Sequence, residues 1–257
     1  MSAAIAFLFG AVYGSFLNVV VHRLPREESL VRPGSHCPRC RKPIRWHDNV
    51  PILSWLILRG RCRACRKAIS PRYPAVEAVM GALAAALQLR WPENPAWAGA
   101  AALAGGALLA VALIDWETFL IPDELSGGLI VAGLLFSPLN PYLGGGAWWA
   151  RPLHSLLGGL FGFAMTFAIA VVGEWIFKKE ALGGGDVKLL AGVGAWAGAV
   201  GAFDCMMIGS FLGAIYGVSL LVAGRAKRSD PIPFGPFLAF GALVNFFWLM
   251  PLGWPLI

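Results

Sequence analysis

Charge is scarce in this sequence. Of its 257 residues, 14% are Asp, Glu, Lys or Arg, where a soluble domain carries about 25%. With 58% hydrophobic residues and a mean hydropathy of +0.67, the chain has too little polar surface to cover a water-soluble core. Other absences narrow the chemistry. No Lys or Arg precedes the first apolar run, so by pattern a cleavable signal peptide is not expected and residues 1–21 are expected to be a retained first span. The glycine run at 183–185 is not followed by Gly-Lys-Ser/Thr, because Lys188 stands between Val187 and Leu189, which excludes a phosphate-binding loop. No strand–GxGxxG–helix context marks a nucleotide fold. There is no Ser/His or Cys/His constellation, and the isolated His154 reads as structural.

What the chain does have is long uncharged stretches. Runs at 1–21, 96–114, 125–150, 206–224 and 231–257, with weaker ones at 74–89, 152–173 and 187–203, predict about eight transmembrane helices. The expected fold is an all-α polytopic membrane protein. The basic residues are concentrated: residues 23–73 hold 13 of the 21 Lys and Arg with three acids (Glu27, Glu28, Asp48). That is a local net of +10 in a chain of net +7, which leaves the remainder at −3. Beside a span, the positive-inside rule explains such a cluster more simply than nucleic acid does. With 23–73 in the cytoplasm and eight alternating spans, 19 Lys and Arg fall inside and only Arg90 and Arg151 outside. The expected division is 1–22 as first transmembrane helix, 23–73 as a cytoplasmic domain and 74–257 as the remaining transmembrane domain. The amino terminus then lies outside.

This topology brings acids to one face. "ALIDWETFLIPDELS" puts Asp115 at the end of the third span, and "ALGGGDVKLLAG" puts Asp186 at the start of the sixth, 71 residues later. Asp123, after Ile121-Pro122, reads as a helix N-cap, and capping also competes for Asp186, with the glycines supplying a tight turn. Glu117 and Glu77 read as interfacial solvation. Asp115 has no such explanation, because an anion at a helix C-terminus opposes the macrodipole and ionisable groups at membrane depth are costly. Two carboxylates at one site share a proton. The ionised one takes a proton from water while the protonated one polarises the scissile carbonyl. Asp186, nearer a helix N-terminus, is expected to be the base and Asp115 the acid.

The basic loop contains "CPRC" (Cys37, Cys40) and "CRAC" (Cys62, Cys65). Two such knuckles match a closed tetrahedral zinc site with a structural role. A reduced cytoplasmic setting argues against disulfides. "VPILSWLIL" (50–58) is too short to span and is expected to supply this small domain's core. Cys205 reads as packing.

These motifs together resemble the bacterial prepilin peptidases, the leader peptidase/N-methyltransferases of type IV pilus and type II secretion systems, over nearly the whole chain. The resemblance rests on "GSFLNVVVHRLP" (14–25), "WHDNVPILSW" (46–55), "RGRCRACRKAISPRYPAVE" (59–77), "LIDWETFLIPD" (113–123), "GGGDVKLL" (183–190) and "PIPFGPFLAFG" (231–241). It implies Asp115 and Asp186 as the catalytic pair of a Gly-x-Gly-Asp aspartyl protease, and Cys37, Cys40, Cys62 and Cys65 as zinc ligands. It also implies the reaction: a basic leader is cut after a glycine from prepilins or pseudopilins at the cytoplasmic face of the inner membrane. The new amino terminus is then methylated with S-adenosylmethionine. Membrane lipids are the expected surroundings and no nucleic acid is expected. Two rivals remain: an intramembrane aspartyl protease of other membrane segments without methyl transfer, and a transporter using the acids as a proton relay.

Overall fold

The computed structural model describes residues 2–144, 147–178, 182–227 and 230–248. Lys179, Arg228 and residues 249–257 of the expected last span lie outside the described residues. Regular structure in the described residues is helical, apart from two isolated bridges in the cysteine loop. The helices are α1 (Ala3–Arg23), α2 (Leu53–Ile57), α3 (Arg72–Arg90), α4 (Pro95–Thr118), α5 (Asp123–Phe136), α6 (Ala150–Phe177), α7 (Gly184–Val222) and α8 (Gly235–Phe247). Of these, α1, α4, α6 and α7 are long and apolar enough to cross a membrane. The chain divides into two compact units, Met1–Gly106 and Ala107–Ile257, with the boundary inside α4.

In the first unit α1 and α3 pack backbone to backbone, because small residues face each other. A Cβ on Gly10 would stand 2.6 Å from the Met80 carbonyl, and one on Gly14 would stand 2.8 Å from Glu77 Cα. Such close approach is how apolar helices associate where lipid competes for the same surface. The buried Asn18 amide donates to the Tyr73 carbonyl at 3.2 Å and ties the two helices together at the cysteine-loop end. Two expectations fail here. Glu77 does not solvate an interface: it is buried, and its Oε2 accepts the N–H of Ile52 at 2.7 Å. Ile52 has a φ of 62°, a region that β-branched residues avoid, so a buried carboxylate holds a strained turn. The stretch 50–58 does not form a core either. Ser54 is its buried member, while Leu53, Leu56 and Ile57 face outward.

In the second unit the main surprise is α7. The apolar runs 187–203 and 206–224 are expected to be two separate spans. The structure instead has 39 residues of helix interrupted at Gly198, where φ is 71° and ψ is −175°. Moving one turn along α6 from Gly158 to Gly162, the contact on α7 moves from Gly194 and Gly198 to Leu190 on one side and Ala202 on the other. The chain therefore doubles back at Gly198 as two helical arms with no loop between them. Hydropathy misses this because the break is one glycine inside an apolar run. The first arm packs on α5, where Trp196 Nε1 donates to the Leu129 carbonyl at 2.9 Å. The second arm runs antiparallel to α8, with Gly201 beside Asn245, Gly209 against Leu238 and Gly217 against Ile232.

The run 125–150 is not one long helix. α5 ends at Phe136 and passes into a 3-10 turn over Ser137–Leu139. Pro138 and Pro141 disfavour continuing the ladder there. At 1.5 Å per residue, the 14 residues of α5 and the 13 of α8 reach only about 20 Å.

Candidate active site

Asp115 lies one turn before the end of α4, buried beside the fully buried Ile114. The helix stops where Phe119 adopts a φ of 54° and donates its N–H to the Asp115 carbonyl at 2.9 Å. A four-residue turn ending in Pro122 then starts α5. The Asp115 side chain is held from far away in sequence: its Oδ2 accepts the N–H of Gly235, first residue of α8, at 2.8 Å. A Cβ on Gly235 would stand 2.9 Å from that oxygen, so glycine is what lets the α8 backbone approach. Donors at a helix N-terminus suit an anion. The helix-end penalty read from the sequence is therefore offset by a second helix, which the sequence reading missed.

Asp186 is the third residue of α7, and its Oδ2 accepts the Gly183 N–H at 3.2 Å. It is not the N-cap, which is Gly183; from the third helical position its carboxylate reaches back to that residue's N–H, and it is buried. The glycines before it do not make a positive-φ turn. Gly185 instead lets α7 approach the α4–α5 turn, since a Cβ there would meet Ile121 Cβ at 2.9 Å. The structure thus brings Asp115 and Asp186 within electrostatic reach of each other. Each is served by a backbone N–H at a helix start, so helix polarity alone no longer separates an acid from a base. Any titration belongs to the pair.

Asp123 is not an N-cap; Pro122 occupies that position. Its carboxylate pairs with Lys188 Nζ at 2.7 and 2.8 Å, linking the starts of α5 and α7. Beside the dyad, Trp116 meets Tyr216, which meets Phe237, both at 5.5 Å between centroids. Asp204, a further acid missed from sequence, is wholly buried within the second arm of α7. Its only signal was a lone charge inside an apolar run. Cys205 is packing as expected, buried with its thiol donating to the Leu238 carbonyl at 3.1 Å.

In the first unit the four cysteine sulfurs lie within 4.8 Å of one another, and Cys37 and Cys65 are 3.9 Å apart. A tetrahedral zinc with bonds of about 2.3 Å needs sulfur–sulfur edges of about 3.8 Å, so the donor set fits the ion. The two knuckles are built alike. Cys37 N–H donates to Lys42 and Arg41 N–H to Cys37 on one side, and Cys62 to Lys67 and Arg66 to Cys62 on the other. Arg41 and Arg66 both take positive φ. Backbone N–H groups of Cys65 and Ala64 aimed at the Cys62 sulfur bring its pKa down to about 7, while burial and the neighbouring sulfurs push Cys65 up to about 11, so the cluster releases its protons as a group. Arg63 grips Asp48 through two bonds of 2.6 and 2.7 Å and holds that carboxyl below the usual range.

Known proteins are similar to this chain in sequence. Residues 8–91 match the Bacterial Peptidase A24 N-terminal domain, and residues 102–218 match the Type IV leader peptidase family. The prepilin leader peptidase/N-methyltransferase of Aeromonas salmonicida is 36% identical over 95% of this chain and 90% of its own length. That of Burkholderia pseudomallei is 37% identical over 98% and 87%. The type 4 prepilin-like proteins leader peptide-processing enzyme of Escherichia coli O78:H11 is 35% identical over 95% and 93%. No solved structure matches the chain. Near-complete coverage at this identity, with a family match on each unit, makes the chain a member of the type IV leader peptidase family.

Proposed function

We propose that the chain is a membrane aspartyl endopeptidase that removes the leader from type IV prepilins or pseudopilins and N-methylates the new amino terminus. What supports the peptidase half is that Asp115 and Asp186, from α4 and α7, lie within electrostatic reach of each other, each buried and each bonded to a backbone N–H. With one proton between them, the ionised carboxylate draws a proton from water. The resulting hydroxyl attacks the scissile carbonyl, whose oxygen is polarised by the protonated carboxyl. The tetrahedral species collapses as the leaving amine takes a proton from the pair.

The placement is an inner-membrane protein with the dyad at the cytoplasmic face and the amino terminus outside. Eight crossings are assigned to α1, α3, α4, α5, α6, the two arms of α7, and α8. The charge asymmetry of the loops supports that orientation. Zinc would be held by Cys37, Cys40, Cys62 and Cys65 and would fold a module too small to be stable alone. S-adenosylmethionine is the donor for methyl transfer, and the described residues contain no βαβ unit to bind it as a nucleotide fold does.

One experiment separates the two activities. Asp115→Asn, Asp186→Asn and Asp123→Asn proteins receive a prepilin, and leader loss is read by mass spectrometry. They then receive a cleaved pilin amino terminus with labelled donor. Both dyad variants should lose nearly all cleavage while still methylating, and Asp123→Asn should lose far less than either. Full cleavage by either dyad variant overturns the pair. Loss of methylation in a well-folded dyad variant shows that the aspartates serve both steps.

A further inference from the structure

The cysteine module turns its own apolar stripe outward. Leu53, Leu56 and Ile57 stand at i, i+3 and i+4 of α2, a spacing that puts them on one face. They are 57%, 56% and 73% exposed, and Trp46 in the preceding turn is 84% exposed. The other side of α2 is held by polar contacts. Ser54 donates to the His47 carbonyl at 3.0 Å and accepts the Val50 N–H at 2.9 Å, and Trp55 Nε1 donates to the Ile69 carbonyl at 3.2 Å. A soluble domain would be built the other way round.

Charge identifies what covers this face. Residues 23–73 carry a net of +10, so a basic peptide is repelled and a polyanion is attracted. Nucleic acid offers phosphates but no apolar layer for three aliphatic side chains. The module leaves α1, a helix long and apolar enough to cross a membrane, at Arg23 and returns at Arg72 into α3, which packs against α1, so it stays beside the bilayer that α1 would cross. We propose that residues 46–57 dock on the membrane surface itself. Trp46 and the Leu53/Leu56/Ile57 stripe enter the headgroup–acyl boundary, and surrounding Lys and Arg hold anionic phospholipid headgroups. This rests on α1 and α3 crossing the membrane and is independent of the catalytic assignment.

The test is hydrogen exchange of the full chain in detergent, in phosphatidylcholine nanodiscs, and in nanodiscs with about one third phosphatidylglycerol. Amides of 53–58 should exchange at least about tenfold more slowly in the anionic discs than in detergent. High salt should reduce that protection. A Leu53→Gln/Leu56→Gln/Ile57→Gln variant that keeps its metal should lose it while cleaving prepilin normally in detergent. Equal exchange in all three media overturns the proposal, and so does equal protection in both lipid compositions. Protection that appears only on adding a second protein also overturns it and gives the stripe a protein partner.

Discussion

Replacing Gly235 by alanine would test whether Asp115 is held for chemistry. Gly235 opens α8 without a positive φ, so the backbone accepts alanine, which is the better helix former. The added Cβ would stand 2.9 Å from Asp115 Oδ2 and 3.1 Å from its Cβ and Cγ. Because the Asp115 Cβ is crowded too, rotating the carboxylate alone does not relieve the contact. Either α8 or α4 has to move, and the 2.8 Å bond from the Gly235 N–H is lost or stretched. A hydrogen bond to a charged group contributes about 1.5–3 kcal/mol. At 1.36 kcal/mol per tenfold, that is about 10- to 150-fold in rate. A catalytic group misplaced by about 1 Å independently costs about 100-fold. Both routes place kcat for leader removal about two orders of magnitude below wild type, and KM should change far less. The assay is single-turnover cleavage of a purified prepilin, with Gly127→Ala as control, since a Cβ there meets nothing within 4 Å. If folded Gly235→Ala protein cleaves within about twofold of wild type, the reasoning that α8 positions Asp115 is wrong.

Two further outcomes are expected. Lys188→Met should slow cleavage several-fold but cost at most about 1 kcal/mol of stability, because the Asp123–Lys188 pair is exposed. The double exchange Asp123→Lys/Lys188→Asp should recover part of the rate, and no recovery would mean the pair does not set the α5–α7 junction. Purified protein should contain zinc at one ion per chain, and Cys37→Ser/Cys62→Ser should lose both the metal and the protection of residues 35–69 from protease. Disulfides in metal-free wild type would contradict this.

The candidate acids and the cysteines were legible because an apolar chain makes each charge and each CxxC conspicuous. Asp115 and Asp186 stood out for the cost of placing them there, and the knuckles for their spacing. What stayed hidden carries no side-chain signature. The donor to Asp115 is a backbone N–H 120 residues away, and any residue but proline has one. The reversal in α7 depends on Gly198, one of 32 glycines. Glu77 looked interfacial because the turn it binds lies 25 residues earlier. The stretch 50–58 was misread for a different reason. It is a short apolar stretch in a small domain, and apolar composition does not show what those side chains meet.

Gly198 has one more consequence, which concerns sidedness. A straight α7 of 39 residues would reach about 58 Å, nearly twice a hydrocarbon core of about 30 Å. Asp186 and Arg225 would then emerge in different compartments. Because the helix doubles back, its far end returns to the near side, where Tyr216 meets Trp116 and the start of α8 reaches Asp115. On the proposed eight crossings, one residue therefore sets the parity of those that follow it. A side chain forced into that φ of 71° threatens more than local packing, because the donor Gly235 N–H comes after the reversal and Asp115 comes before it. Such a lesion would leave each helix intact and the site unassembled.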